Sequence, residues 1–368
     1  MKTQIFGTFG PACDSEEVLK KMIEAGMTGM RLNLSHTTLA DSANYLKAYQ
    51  RAAKSCGLEP QLLIDMRGPE LRVGSMEKSL MLEEKMTNLL LCSLEDYALY
   101  KDTSFFIPVP KEVLAVLETG DEILLDDGKL LLRVERQGEI NDIIKGNDGL
   151  AEVTKRLQAM DCEDVSKFVL VQVLRGGLLQ SGKSIKVVGK HVSMPPLTQH
   201  DIENIKLAKQ YGVTALMQPF VLSGEDLKYV RSVLKEYGAE QVQIFAKIEN
   251  LMGVENLENI IPEADVIIIA RGDLGNDMPL WELPRVQKQI ENTCKKYQKP
   301  YIVVTQMLAS MEEHPVPTRA EVSDIYHAVY HGAWGVMLTG ETAVGKYPVE
   351  AIRYMTNTAA QATEVLDL

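Results

Sequence analysis

The 368-residue sequence lacks the features that mark secreted, membrane-spanning and nucleic-acid-binding proteins. Its five cysteines are scattered and show no CxxC spacing, which is typical of reduced cytosolic thiols rather than of a disulfide or zinc framework. No apolar leader follows Met1 and no apolar run has membrane length, so we expect a cytoplasmic protein. A formal net charge of −12 predicts that neither nucleic acid nor an anionic membrane is a partner.

The sequence does contain short aliphatic runs that alternate with longer segments of helical period. The runs are almost continuously apolar, as expected of parallel strands that are covered on both faces. The alternation predicts an α/β protein with a (β/α)₈ TIM barrel, and a doubly wound open sheet is the alternative, since periodicity does not separate the two. The predicted strands are Gln4–Thr8, Gly29–Leu34, Gln61–Asp65, Thr214–Met217, Val242–Lys247, Val266–Ala270, Tyr301–Thr305 and Gly335–Leu338.

Helices are predicted between most of these strands. Asp14-Ser15-Glu16-Glu17 and Ser223-Gly224-Glu225-Asp226 are typical of helix starts, because acidic residues follow a capping side chain. The predicted helices are Asp14–Ala25, Leu39–Ser55, Thr198–Tyr211, Gly224–Tyr237, Trp281–Tyr297, Pro317–Tyr330 and Pro348–Val365.

One segment departs from the alternation and predicts a second domain. Between residues 73 and 192 the sequence is rich in turn signals such as Asp126-Asp127-Gly128, and Leu130–Glu135 and Phe168–Leu174 have the pattern of strands. We therefore predict an all-β domain over 73–192, inserted between the third barrel strand and its helix, with 1–72 and 193–368 forming the barrel. The spacing of apolar residues over 150–160 predicts a short surface helix on this insert.

Polar residues concentrate where the predicted barrel strands end. In a parallel barrel the carboxyl ends of the strands converge on one face, so polar residues at these ends share a site. Charged groups that are buried there must be paired or bind an ion. Six charged or polar strand ends on one face are therefore hard to explain by a purely structural role. These strand ends are Arg31–His36, Asp65–Glu70, Lys247–Asn250, Ala270–Asp273, Thr305–Gln306 and Thr339–Thr342.

Two acidic residues on neighbouring strand ends, Glu249 and Asp273, predict a divalent-cation site. Mg²⁺ binds a few carboxylates, keeps some waters and adds substrate oxygens. Lys247 and Arg271 beside such an ion would bind a dense anion such as a phosphate, and Gly272 would let the backbone approach it. The alternative is that both acids only form salt bridges with Lys247 and Arg271.

Two further residues lie close to these strand ends. Thr305 ends an apolar run, where its hydroxyl could relay a proton, and ordinary strand capping is the alternative. Cys13 follows the loop after the first strand, and we interpret it as a structural thiol.

The chain resembles the pyruvate kinase family over essentially its whole length. Any one matching tripeptide is weak, whereas the order and barrel-compatible spacing of all of them are specific. The family's usual C-terminal domain has no counterpart in the sequence, so we do not expect its allosteric activator site or its usual tetramer. The matching motifs are Gly10-Pro11-Ala12, Arg31–His36, Gly68–Arg72, Asp126-Asp127-Gly128, Lys247–Asn250, Ala270–Gly275, Thr305–Met311, Pro317–Glu321 and Met337–Ala343.

The resemblance implies transfer of a phosphoryl group from phosphoenolpyruvate to ADP, which gives pyruvate and ATP. Lys247 would stabilise the transferring group, Arg31 would hold the phosphate, and Thr305 would lie where a proton reaches the enolate. The implied cofactors are Mg²⁺ or Mn²⁺, held by Glu249 and Asp273, together with K⁺.

The remaining roles are also implied by the resemblance. The inserted domain would be a mobile lid that closes to exclude water, so that ADP rather than water accepts the phosphoryl group. The implied K⁺ ligands are Asn33, Ser35, Asp65 and the Met66 carbonyl. The substrate carboxylate would bind the backbone of Ala270, Arg271 and Gly272. The residues that would approach the nucleotide are Pro11, His36, Arg72, Asp127 and Lys183.

Departures from the family pattern keep alternative functions open. They lie at Met66-Arg67 before Gly68, after the fourth strand at Met217-Gln218-Pro219-Phe220, and in the insert at Leu150–Met160 and Lys183–Gly189. One alternative is a diverged Mg²⁺-dependent enzyme acting on another enolisable carboxylate or phosphate, and the other is a non-catalytic sensor of phosphoenolpyruvate. By resemblance, Pro317-Thr318-Arg319 lies near an intersubunit contact, which predicts a homodimer through the barrel.

Overall fold

A computed structural model of the protein describes residues 3–35, 37–100, 105–126, 128–139, 167–190, 192 and 194–366. The chain forms two compact units, Met1–Pro69 with Pro195–Leu368, and Glu70–Met194. Three sequence predictions fall outside the described residues, namely His36, Asp127 and the helix over 150–160. Among the helices that are described, none is both long and apolar enough to cross a membrane.

The first unit is a closed barrel of eight parallel strands, so the predicted TIM barrel is confirmed and the open sheet is excluded. The strands follow one another around the barrel in chain order, and the last pairs with the first at Gln4 and Gly335. Every strand agrees with its predicted span to within one residue at each end. The strands are β1 Gln4–Thr8, β2 Gly29–Asn33, β3 Gln61–Asp65, β4 Ala215–Gln218, β5 Gln243–Ile248, β6 Val266–Ala270, β7 Tyr301–Val304 and β8 Gly335–Met337.

Helices connect the barrel strands. The predicted start at Ser15 is confirmed, because its side chain accepts a hydrogen bond from the Val18 N–H. The helix predicted from Trp281 begins instead at Leu283 with Pro284 in its first turn, after a 3₁₀ turn over Leu280–Glu282. The barrel helices are α1 Glu16–Glu24, α2 Ala43–Ser55, α3 Gln199–Tyr211, α4 Gly224–Glu236, α5 Leu251–Glu255, α6 Leu257–Ile260, α7 Arg271–Asn276, α8 Leu283–Lys296, α9 Arg319–Tyr330, α10 Gly340–Ala343 and α11 Pro348–Leu366.

Alternation along the strands decides which side chains enter the barrel. Phe6, Leu63 and Phe245 pack in its interior, while neighbours such as Ile5 and Ile244 pack against the helices. Because every second residue faces the interior, the last inward-facing residue of several strands is a polar one at the carboxyl end. These are Thr8, Arg31, Asp65 and Lys247.

The second unit is built on a mixed six-stranded sheet with a separate two-stranded sheet. Within it, the strands predicted at Leu130–Glu135 and Phe168–Leu174 are confirmed, and they extend over Leu130–Glu139 and Lys167–Arg175. The prediction of an all-β insert is wrong in one respect, because Leu94–Tyr100 and Lys111–Val116 are helices. Both helices are short, so their period was hidden among the turn signals. In sheet order the strands are Ile185–Val187, Glu122–Leu125, Leu130–Glu139, Lys167–Arg175, Leu89–Ser93 and Phe106–Val109, and the pair is Gly177–Leu179 with Leu80–Leu82.

Candidate active site

Lys247, on β5, places its ammonium between two carboxylates. Its Nζ lies 2.8 Å from Glu249 Oε1 and 3.2 Å from Asp65 Oδ1, and its side chain is only 14% exposed. Burial by itself lowers the pKa of Lys247, but the charges of Asp65 and Glu249 outweigh this and raise the pKa above its usual value. The ammonium is therefore charged throughout the physiological range.

Asp65 is shared between two cations. The Arg31 Nε and Nη2 groups donate to Asp65 Oδ2 at 2.9 and 2.6 Å, while Nη1 donates to Thr8 Oγ1 at 3.3 Å. Burial acts to raise the pKa of Asp65, but Lys247 and Arg31 reverse this, so its pKa lies below the usual value. The carboxylate thus orients both basic side chains at the strand ends.

Glu249 follows β5 and is almost completely buried. Its Oε2 accepts a hydrogen bond from the Phe220 N–H at 2.8 Å, whereas Oε1 makes no hydrogen bond of normal geometry despite the nearby Lys247 ammonium. Burial raises the pKa of Glu249 to about 7, a rise that the charge of Lys247 opposes and that of Asp273 increases. Asp273 itself is exposed in the first turn of α7.

These two carboxylates fit a divalent cation. Glu249 offers a buried carboxylate oxygen, Oε1, which is paired here with the Lys247 ammonium, and Asp273 is close enough to add to the local negative charge. Within the described ranges no cluster of three or more His, Cys, Asp or Glu side chains is arranged as a complete metal site. Mg²⁺ does not need one, since it keeps waters and adds substrate oxygens to one or two carboxylates.

Thr305 has an unusual backbone conformation. The strand β7 ends one residue before it, at Val304, and Thr305 has φ +83° while Gln306 has φ +55°. A positive φ is a genuine outlier for a β-branched residue. The Thr305 side chain packs on Gly272, where an added Cβ would lie 3.0 Å from Thr305 Cγ2. The structure thus brings Thr305 to the turn that carries Gly272 and Asp273, and its part in a proton relay stays a prediction.

The side chain of Arg271 is paired with groups other than the acids of the Lys247 network, and its predicted part in an anion site beside Lys247 stays a prediction. Its Nη1 donates to Asp324 Oδ2 at 2.6 Å, and its Nε and Nη2 donate to the Thr305 carbonyl at 3.2 and 2.7 Å. Of the two salt bridges weighed as the alternative to a metal site, the one between Lys247 and Glu249 is present, whereas the guanidinium of Arg271 pairs with Asp324.

The residues predicted to bind K⁺ lie on β2, β3 and the loops that follow. Asn33 and Asp65 are paired in register, and Asn33 Oδ1 accepts a hydrogen bond from the Ser35 N–H at 3.1 Å. The Met66 N–H donates to the Met217 carbonyl at 3.1 Å. K⁺ binding at this group stays a prediction.

The residues predicted to approach the nucleotide belong to both units. Pro11 begins a 3₁₀ turn after β1 in the barrel. Within the second unit, Arg72 Nη1 donates to the Gly182 carbonyl at 2.5 Å, and Lys183 Nζ lies 2.9 Å from Asp126 Oδ1. A nucleotide role for these residues, and for His36 and Asp127, stays a prediction.

Sequence reasoning missed buried acids that fix the loops of the barrel face. Asp201 accepts hydrogen bonds from the N–H groups of Arg67 and Gly68 at 2.8 and 3.1 Å, and it completes a capping box with Thr198. Glu341 accepts from the N–H of Leu308 at 2.9 Å. The Thr198-to-Asp201 spacing was a usable signal for the cap, but not for the tether to a loop 133 residues earlier.

Cys13 is a structural thiol rather than a reactive one. It is buried, and its Sγ lies 3.4 Å from the Thr8 carbonyl oxygen. Burial raises the pKa of Cys13 to about 11, so the thiol stays protonated and unreactive near neutral pH. The other cysteines within the described ranges, Cys56, Cys92 and Cys294, are also free thiols.

The fold and the site define a (β/α)₈-barrel protein whose strand ends join lysine, arginine and carboxylate groups on one face. The family model described as "Pyruvate kinase, barrel domain" matches two overlapping stretches, residues 1–156 and 139–352, and the chain belongs to this family. The pyruvate kinases of Bacillus licheniformis and Geobacillus stearothermophilus are each 35% identical to it, and that of Staphylococcus aureus strain MRSA252 is 34% identical. Each alignment covers 100% of this chain and 58% of the relative, so the chain spans well under two thirds of their length.

Proposed function

We propose that the protein transfers a phosphoryl group from phosphoenolpyruvate to ADP, giving pyruvate and ATP. The observation that carries this proposal is the position of Lys247, whose ammonium lies between Asp65 and Glu249 at the strand ends that also hold Arg31. Family membership and the similarity to curated pyruvate kinases support the same reaction.

The transfer requires charge neutralisation and positioning more than covalent chemistry. The bond from phosphorus to the enol oxygen breaks as a bond to the β-phosphate of ADP forms, and negative charge shifts to the enolate oxygen. Lys247 would stabilise this oxygen and the moving group, because its charge is fixed by the two carboxylates. Arg31, oriented by Asp65 and Thr8, would hold the phosphate of the substrate.

Glu249 and Asp273 would hold Mg²⁺ or Mn²⁺, which supplies positive charge to the phosphoryl and carboxylate oxygens when bound. The buried carboxylate of Glu249, whose pKa is raised in part by the charge of Asp273, supports this assignment. A second, monovalent site for K⁺ would use Asn33, Ser35, Asp65 and the Met66 carbonyl.

The enolate left by the transfer must take a proton on its methylene carbon to become pyruvate. Thr305 would hold the proton-donating group on that face, next to the Gly272 turn on which it packs. The backbone of Ala270, Arg271 and Gly272 would position the substrate carboxylate. Each of these steps uses a residue that has already been described at the strand ends.

The partners in this proposal are phosphoenolpyruvate and pyruvate with ADP and ATP, the nucleotide meeting Pro11, His36, Arg72, Asp127 and Lys183. A glycolytic role in the cytoplasm and a homodimer through the barrel belong to the same proposal. The composition supports a cytoplasmic location through its scattered cysteines.

A coupled assay of pyruvate formation tests the proposal. It would use phosphoenolpyruvate with a panel of nucleoside diphosphates, with and without Mg²⁺ and K⁺. We expect turnover that requires a diphosphate and Mg²⁺ and that K⁺ increases. Binding of phosphoenolpyruvate without turnover on any diphosphate would contradict the proposal and favour a sensor.

One observation supports a diverged enzyme as the second candidate. At the end of β4, where the family pattern changes, Gln218 is fully buried with its Nε2 on the Pro196 carbonyl at 2.7 Å and its Oε1 without a hydrogen bond. Phe220, two residues on, has φ +53°. Mg²⁺-dependent turnover of another enol phosphate or enolisable acid, faster than that of phosphoenolpyruvate, would favour this candidate.

A further inference from the structure

We propose that Asp324 is a positioning residue for the protonation of the enolate, acting through Arg271 on the backbone of Thr305. This inference rests on the proposed function, because it concerns one step of that reaction. Asp324 lies on α9, outside the barrel strands, and nothing in the sequence pattern connects it with the strand ends.

The first step of the argument is that Thr305 needs to be held. Its φ of +83° is followed by +55° at Gln306, so two consecutive residues with side chains adopt left-handed conformations. Such conformations persist only when the surrounding structure over-determines them, and they cluster where a side chain must be aimed. The Thr305 side chain packs on the Gly272 turn through its Cγ2 methyl.

The second step is that Arg271 supplies the hold. Its Nε and Nη2 both donate to the Thr305 carbonyl, which fixes the orientation of the peptide that follows Thr305. The strand ladder has already ended at Val304. Among the residues that the structure describes, Arg271 is the only donor to this carbonyl outside regular helices and strands.

The third step is that Asp324 fixes Arg271. The guanidinium is planar, so a charge-assisted hydrogen bond on Nη1 sets the plane in which Nε and Nη2 can act. The Asp324 carboxylate makes this bond at 2.6 Å. The remaining partners of the guanidinium are uncharged, namely the Thr305 carbonyl and Met307 Sδ at 2.9 Å from Nη2, so loss of the Asp324 carboxylate weakens the orientation of Arg271 and of the Thr305 peptide.

The surroundings make the carboxylate accessible to a chemical probe. Asp324 is 35% exposed and, together with Arg271 and Gln306, lines a cavity of about 580 Å³ between α8 and α9. A small carboxylate such as formate can therefore reach the position that a truncated side chain leaves.

A matched control exists elsewhere on the barrel. Asp265 is 34% exposed, forms a salt bridge with Arg231 at 3.0 Å and also accepts from the Ile244 N–H, but it precedes β6 at the opposite end of the strand. If Asp324 only contributes to stability, replacing it will change kcat as little as replacing Asp265 does.

The experiment compares Asp324→Asn, Asp324→Ala and Asp265→Asn with the wild type in the pyruvate-formation assay. For Asp324→Asn we expect kcat to fall about tenfold to a hundredfold, the cost of a small misplacement at a reacting centre. We expect the KM for phosphoenolpyruvate to change less than about threefold and the solvent deuterium isotope effect on kcat to increase, because proton delivery becomes slower. Formate should restore activity to Asp324→Ala, and Asp265→Asn should keep the wild-type kcat.

Several outcomes would overturn the inference. These are an unchanged kcat in Asp324→Asn, an equal loss in Asp265→Asn, an unchanged isotope effect, or no rescue by formate. If Asp324→Asn fails to fold, Asp324→Glu, which keeps the charge, replaces it and is expected to retain most of the wild-type isotope effect. An inactive wild type would overturn the proposed function and this step with it, whereas an active wild type with an unaffected variant would overturn this step alone.

Discussion

The two sides of the strand-end face use charge differently. On the side of β2, β3 and β5, ions contact ions, with Lys247 between Asp65 and Glu249 in a buried network. On the side of β6 and β7, Arg271 forms one salt bridge, with Asp324, and uses its other donors to bind a backbone carbonyl, that of Thr305. The first arrangement sets protonation and the local field, and the second sets geometry. Substitutions on the two sides should therefore produce different kinds of failure, and four variants test this difference.

Replacing Lys247 by Met should have the largest effect. The variant removes the ammonium and leaves the shape of the side chain, so we expect turnover to fall by about 10³-fold or more. Mg²⁺ should still raise Tm, because Glu249 and Asp273 lose a competing cation. Lys299→Met is the control, since this partly buried lysine lies away from the strand ends and its ammonium donates to the Ala264 carbonyl at 2.5 Å. Loss of Mg²⁺ binding in Lys247→Met, or near-normal turnover, would contradict the role of charge on this side.

Gly272→Ala tests the geometric side. The new Cβ would lie 3.0 Å from Thr305 Cγ2, so we expect kcat to fall about tenfold or more with little change in Mg²⁺ binding. Adding Thr305→Ser removes the contacting methyl, keeps the hydroxyl and should restore part of the activity. Gly275→Ala in the same helix serves as control, because its new Cβ would meet two leucine methyls, of Leu280 at 3.2 Å and Leu283 at 3.6 Å, and not Thr305. A double variant no better than Gly272→Ala would show that the contact is not the cause.

Glu249 should link stability to pH and to Mg²⁺. Its pKa is raised to about 7 in the folded, metal-free protein. A raised carboxyl pKa contributes stability that is fully present below about pH 4.5 and is lost as the pH rises through about 7, a change of roughly 3 kcal/mol. With a chelator, Tm should fall between pH 5 and pH 8 more steeply in the wild type than in Glu249→Gln. Mg²⁺ should restore Tm at pH 8 in the wild type only. If the plots of Tm against pH run parallel in the wild type and Glu249→Gln, Glu249 does not couple stability to pH.

Asp201→Ala should have the smallest effect on turnover and a clear effect on stability. It leaves the N–H groups of Arg67 and Gly68 without their acceptor and removes one half of the capping box of α3, the bond from the Thr198 N–H to the Asp201 carboxylate, so we expect a loss of about 2–3 kcal/mol in the free energy of unfolding. Asp226→Ala is the control, because Asp226 accepts hydrogen bonds only near its own helix start and should cost about 1 kcal/mol. If both variants lose the same free energy of unfolding, the hydrogen bonds from Asp201 to the loop after β3 add no stability beyond that of a helix cap.

Much of the fold could be predicted because the barrel repeats one local pattern. Apolar runs such as Val266–Ala270 are covered on both faces, so every barrel strand was found to within one residue. The helices Leu94–Tyr100 and Lys111–Val116 were missed, because one or two turns carry too little periodicity to outweigh surrounding strand signals.

The sequence by itself determined the barrel and the residue types at its strand ends, because strand alternation and the convergence of parallel strands are consequences of local geometry. It also placed Lys247, Glu249 and Arg31 among the candidate residues. Only the tertiary structure decided which charges meet. Arg271 turned to Asp324 and the Thr305 carbonyl, and Asp201 reached a distant loop, since contacts between residues far apart in the chain depend on the packing of whole elements.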